Sequence, residues 1–187
     1  MNQNVIQIRW HGRGGQGAIT AAKIIANTAF VSGYTGVVMA PTFGTERRGA
    51  PVLTSLKISR EKIYDLSPIT EPDIVVVLDH LLVEEANVAS GLKPGGLMII
   101  NTPRTPADYP FPGIIVATAD VTTIAAQVGL PAGIVNTGII GAFARATGLL
   151  DIEDLARGIE VEFTGKKPKR NAKSAKVTYD QTIIGGQ

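Results

Sequence analysis

The chain is 187 residues long and 44% hydrophobic, enough to bury one substantial core, and the length fits one domain rather than two. It contains no cysteine, which excludes disulfides, a catalytic thiolate and any thiolate-held iron–sulfur cluster within the chain. The formal net charge of +2 belongs to the tail: from Gly165 to Gln187, Lys166, Lys167, Lys169, Arg170, Lys173 and Lys176 face only Asp180, which leaves residues 1–164 at −3. Such a segment suits an acidic cofactor, an acidic partner or a solvated surface helix. Tyr179 is its sole aromatic, so the interleaved stacking residues of a single-strand binder are missing and no nucleic acid is expected. No stretch reaches the ~18 uninterrupted apolar residues of a membrane span, and no basic segment followed by a long apolar run opens the chain. A cytoplasmic protein with no membrane contact is expected.

In chain order, the β-branched run Val5 to Trp10 reads as a strand, and His11-Gly12-Arg13-Gly14-Gly15-Gln16-Gly17 turns it into a helical stretch from Ala18 to Ser32. Gly36 to Met39 and Val52 to Ile58 read as strands joined by the segment Pro41-Thr42-Phe43-Gly44-Thr45-Glu46-Arg47-Arg48-Gly49-Ala50-Pro51. The near-continuous apolar run Ile74 to Leu78 is that of a parallel strand covered on both faces. A helix is predicted over His80 to Ser90, after which Lys93-Pro94-Gly95-Gly96 turns the chain into the strand Leu97 to Ile100. Residues 101–113 carry Pro103, Pro106, Pro110 and Pro112 and read as an extended surface loop before the strand Ile114 to Val116. Helices follow over Val121 to Val128, Thr137 to Thr147 and Ile152 to Val161, with Asp120 and Asp151 placed to cap two of them. The alternation predicts an α/β fold: a three-layer α/β/α arrangement with a parallel or mostly parallel Rossmann-like sheet. Residues 1–164 form its single domain, and residues 165–187 form a basic arm or helix packed on that domain or on a partner.

Gly12, Gly14 and Gly17 satisfy the G-x-G-x-x-G pattern in its required strand–loop–helix setting, where backbone N–H groups attract an anion. The second half of the fingerprint fails, because Val37-Val38-Met39-Ala40-Pro41-Thr42 offers no carboxylate for ribose hydroxyls before Glu46. Arg13 and Gln16 would crowd a pyrophosphate, and no Gly-Lys-Ser/Thr marks a P-loop. Three readings follow: independent dinucleotide binding, glycines that allow close strand-to-helix packing, or a loop shaped for a partner or a shared cofactor. The loop bearing Glu46, Arg47, Arg48 and Gly49 belongs at the same carboxyl edge of the sheet, the edge where such folds bind ligands. Its adjacent arginines suit bidentate recognition of carboxylate or phosphate, or else a surface ion-pair loop. His11 could orient a ligand at the glycine loop or be a hydrogen-bonded structural residue, and Asp79-His80 ends a strand at the same edge. Two histidines without cysteine make a zinc site unexpected, and no G-x-S-x-G elbow is present. No catalytic residue and no metal ligand is assigned.

Taken together, Ile8 to Gly17, Phe43 to Val52, Asn136-Thr137-Gly138-Ile139-Ile140-Gly141-Ala142 and Phe163-Thr164-Gly165-Lys166-Lys167 with Asn171 resemble the gamma subunit of 2-oxoacid:ferredoxin oxidoreductases. That subunit corresponds to one domain of the fused pyruvate:ferredoxin oxidoreductases. The resemblance covers nearly the whole chain and lies nearer the pyruvate or branched-chain types than the 2-oxoglutarate type. It implies a subunit of a hetero-oligomer that converts a 2-oxoacid and coenzyme A to acyl-CoA and CO2, with electrons passed to ferredoxin. Thiamine diphosphate and the iron–sulfur clusters would then sit on catalytic and ferredoxin-like partner subunits, and coenzyme A would be shared. Under that resemblance Arg13, Arg47 and Arg48, with backbone donors around Gly14 to Gly17, either meet coenzyme A phosphates or lock onto an acidic neighbour. A stand-alone dinucleotide-binding protein and a purely structural interaction module are the alternatives.

Overall fold

Strand β1 (Ile6–Arg13) sends successive side chains to opposite faces of a sheet, and the two faces receive different chemistry. Ile8 and Trp10 are fully buried in the larger of two cores, whereas Arg9 and His11 are buried on the other face. The computed structural model describes residues 5–41 and 48–185. In it β1 pairs on one side with β3 (Pro51–Ser59) and on the other with β4 (Ile74–Val77). Strands β2 (Gly36–Pro41), β5 (Leu97–Asn101), β6 (Ile115–Ala119) and β7 (Ile183–Ile184) complete the sheet in the order β2-β3-β1-β4-β5-β6-β7. β3 and β7 run against the other five, so the sheet is mixed but mostly parallel, in keeping with the α/β expectation.

The long helices share one face. Helix α1 (Ala18–Val31) packs on β1, β2 and β3, and α4 (Asn136–Thr147) packs on β5 and β6. Trp10 stacks on Phe143 of α4 with ring centroids 5.8 Å apart. Helices α3 (Val121–Gln127) and α5 (Ile152–Glu162) begin as the sequence predicts: Asp120 accepts from the Thr123 N–H, and Asp151 from those of Glu153 and Asp154. The basic tail forms α6 (Pro168–Gln181), which lies on α4 and α5. Its buried face is built of small residues, Asn171, Ala172, Ser174, Ala175 and Thr178. Opposite them, Gly141 lies so close that an added Cβ would stand 1.9 Å from the Ala175 carbonyl oxygen.

The other face is thinner and departs from the sequence reading. The predicted helix over His80 to Ser90 shrinks to α2 (Leu82–Glu85), and Asn87 adopts φ 42°. The carbonyls of Val88 and Ser90 accept hydrogen bonds from the Arg9 side chain, so they are turned away from any helical ladder. Residues 101–113 are not wholly a surface loop: they contain a 3₁₀ turn over Pro106–Asp108, and Tyr109 is buried in the second core beside Met98 and Ile100. Among the described residues no helix is long and apolar enough to cross a membrane.

Gly141→Ala forces α4 and α6 apart or strains both. It should destabilise the fold by about 2 kcal/mol or more, read as a fall of roughly 4–8 °C in the thermal midpoint of a chain this size. An unchanged midpoint would show that the crossing tolerates a methyl group.

Candidate functional site

The glycine loop leaves β1 at Gly12 and Arg13 and passes through Gly14, Gly15 and Gln16 to Gly17, which caps α1 with φ 81°. The left-handed backbone favours glycine, and a Cβ there would come within 2.6 Å of the Asn136 side-chain nitrogen. The starts of α1 and α4 therefore meet at the carboxyl edge of the sheet. Neither N-cap residue caps with its side chain, and apart from the Thr137 N–H, which donates to Asn136 Oδ1, both helices leave first-turn N–H groups that favour negative charge.

Arg13 is committed within the chain. Its Nε donates to the Asp79 carboxylate at 2.8 Å and its Nη2 to Glu85 at 2.7 Å. Gln16 closes the ring: its Oε1 accepts from the Arg13 backbone N–H at 2.8 Å, and its Nε2 lies 3.4 Å from Asp79. The other Asp79 oxygen accepts from the Leu81 N–H at 3.0 Å. Burial pushes the Asp79 carboxyl up, but Arg13, the Leu81 N–H and Gln16 outweigh it and hold its pKa below the ordinary value. Hydrogen bonds from Arg13 to Glu85 and Asp79 in turn keep the guanidinium more firmly protonated.

The second predicted loop reaches the same place. The Gly14 N–H donates to the Ala50 carbonyl at 2.8 Å, the Gly49 N–H donates to the Gly14 carbonyl at 3.1 Å, and Gly14 and Arg48 form a parallel bridge. Arg48 and Gly49 are exposed. Glu46 and Arg47 lie outside the described residues. Thus Gly12 to Gly17, Arg48 and Gly49 are brought together, while the partners of Arg13, Asp79 and Glu85, emerge only from the fold.

His11 is structural in its bonding. It is buried, and its Nε2 accepts from Arg9 Nε at 3.0 Å, which places the imidazole proton on Nδ1. Burial, reinforced by the Arg9 charge, lowers its pKa to about 4. Sequence reasoning passed over Arg9, although the polar series Gln7, Arg9, His11, Arg13 on alternate positions of β1 was legible as one face. Among the described residues no group of three or more His, Cys, Asp and Glu could hold a metal ion.

The glycine loop and the second loop are thus locked together at one sheet edge of an α/β module, with the loop arginine paired internally. Residues 7–181 match the family model described as pyruvate ferredoxin/flavodoxin oxidoreductase, and the chain belongs to that family. It is 45% identical to the pyruvate/ketoisovalerate oxidoreductases common subunit gamma of Thermococcus litoralis, over 96% of this chain and 98% of that one. It is 46% identical to the pyruvate synthase subunit PorC of Methanocaldococcus jannaschii, with the same coverage of 96% and 98%. The crystal structure of pyruvate oxidoreductase subunit PORC from Thermotoga maritima superposes with a TM-score of 0.83 at 30% identity, covering 97% of this chain and 99% of that one. These relatives are subunits of 2-oxoacid:ferredoxin oxidoreductase complexes.

The lowered pKa values of His11 and Asp79 contribute to the acid limb of stability, alongside those of Asp65 and Asp108. An unfolded histidine takes up its proton near pH 6.5 but folded His11 only near 4, so stability should fall as pH drops through that window. Asp79, whose folded pKa is depressed, contributes stability that is full above its unfolded pKa and is lost at lower pH still. Unfolding midpoints measured from pH 7 to pH 3 should decline in both stages, with the His11 imidazole neutral by NMR at pH 5. A protonated His11 at pH 5 would contradict this.

Proposed function

We propose that this chain is the gamma subunit of a 2-oxoacid:ferredoxin oxidoreductase complex acting on pyruvate or a related 2-oxoacid. The complex would join the acyl group to coenzyme A, release CO2 and pass electrons to ferredoxin. Near-complete matching to gamma subunits, over both this chain and theirs, supports the reading. Thiamine diphosphate and the iron–sulfur clusters sit on partner subunits, catalytic and ferredoxin-like, since a chain without cysteine cannot ligate a cluster by thiolate. Thiamine diphosphate supplies the carbanion chemistry of decarboxylation when bound on its own subunit. The complex works in the cytoplasm.

The role of this chain is to dock the carboxyl edge of its sheet against an acidic neighbour, with coenzyme A shared across the junction. The observation that carries the docking role is the spent charge of Arg13, which Asp79 and Glu85 neutralise. What remains for a neighbour is Arg48, exposed in the adjoining loop. Gly12, Gly14, Gly15 and Gly17 shape the backbone beside which Arg48 is presented, Gln16 closes the glycine loop on Asp79, and Gly49 fixes the second loop to Gly14.

Purified from its native source, the chain should co-elute with polypeptides carrying thiamine diphosphate and iron–sulfur clusters; elution alone would sink the subunit reading. In the assembled complex, Arg48→Ala should raise the dissociation of this subunit and leave KM for coenzyme A unchanged. A raised KM with intact assembly would transfer Arg48 to the coenzyme A site.

A further inference from the structure

The thin face of the sheet holds a cavity of about 420 Å³ beside Tyr109 and another, of about 360 Å³, over the antiparallel end. The second has an unusual floor. Arg9, Ser55 and Ala40 lie side by side on β1, β3 and β2, with Lys57, Val38 and Leu53 around them. Its roof is the strap Leu66-Ser67-Pro68-Ile69. Two cations are thus buried here, Arg9 at 8% and Lys57 at 4% exposure.

Their fates differ. Lys57 Nζ donates to the Asp65 carboxylate at 3.0 Å and to the Asp65 carbonyl at 3.1 Å, so it is neutralised and pins the strap. Arg9 meets no carboxylate among the described residues. Its Nε donates to the neutral His11 ring, and its Nη2 to the carbonyls of Val88 at 2.8 Å and Ser90 at 2.5 Å. Nη1 makes no hydrogen bond among the described residues. Arginine is almost never this buried without a counter-charge, because neutral acceptors only partly replace its hydration. Depression of the Arg9 pKa by burial has the same origin.

We propose that this cavity is a binding site for a small aliphatic monocarboxylate, whose carboxylate neutralises Arg9 while its hydrocarbon chain rests on Val38, Leu53, Leu66 and Ile69. The Ser55 hydroxyl supplies further hydrogen-bonding capacity. The volume lies at the small end of ligand cavities, and the mixture of one unpaired cation with apolar walls selects a charged head on a short hydrocarbon rather than a polyanion. The site lies over β1–β3 under the strap, apart from the glycine loop, and does not depend on which complex the chain enters.

Isothermal titration of the full chain and of the assembled complex tests it, using isovalerate as probe, with isovaleramide and inorganic phosphate as controls. Saturable isovalerate binding is expected in both preparations, and little from either control. Arg9→Met should weaken it about tenfold or more, the loss of one charge-assisted hydrogen bond. Should that variant fail to fold, Ala40→Leu fills the cavity from an exposed position and should abolish binding with an unchanged unfolding midpoint. Several results would overturn the proposal: no saturable binding, equal binding of the amide, binding of phosphate alone, or unaltered binding in Ala40→Leu. So would binding by the free chain that vanishes on assembly, which would place a partner's carboxylate on Arg9.

Discussion

The bond from Arg13 to Asp79 ties the carboxyl ends of two adjacent parallel strands, β1 and β4, and the edge of the molecule is organised around it. Without a carboxylate there, Arg13 would keep only the exposed Glu85 as counter-charge, and Gln16 would lose the acceptor beneath its amide. With it, the loop is a closed ring of side chain and backbone. The G-x-G-x-x-G spacing therefore builds a stiff corner rather than an open pyrophosphate cradle, and the missing ribose-binding carboxylate after β2 agrees with that.

Strand β1 also solves a packing conflict. It is the seam between the antiparallel β2–β3 hairpin and the parallel strands β4 to β6, so both its faces are covered and both must be reconciled with burial. One face is apolar and takes the helices through Ile8 and Trp10. The other is polar, and burial there is made tolerable by a neutral imidazole, by backbone carbonyls and by the Lys57–Asp65 pair. The carbonyls that serve Arg9 lie in the irregular segment after α2, where the chain has already left the helix.

Most of the helix-side architecture was legible because its signals are local. Aspartate caps mark α3 and α5, and the apolar β-branched run marks β4. Helix α6 was legible only as an arm or helix, since its buried stripe is Asn171, Ala172, Ser174, Ala175 and Thr178, which carry no hydrophobic periodicity. Its fit is steric, decided by Gly141 on the opposing helix. The site was half legible: the two loops share an edge as their positions demanded, but the Arg13–Asp79–Glu85 pairing joins residues 66 and 72 positions apart, a distance over which spacing carries no information. Arg9 was hidden because a charged residue on a strand ordinarily reads as the solvent face.

Gly14 holds Ala50 through its N–H and Gly49 through its carbonyl, so backbone pairing goes on past the ends of β1 and β3 as an isolated parallel bridge to Arg48 beyond their antiparallel ladder. This ties the glycine loop to the described end of the second loop through the backbone. Because both bonds at Gly14 are made by backbone groups, the tie does not depend on which side chains the two loops carry.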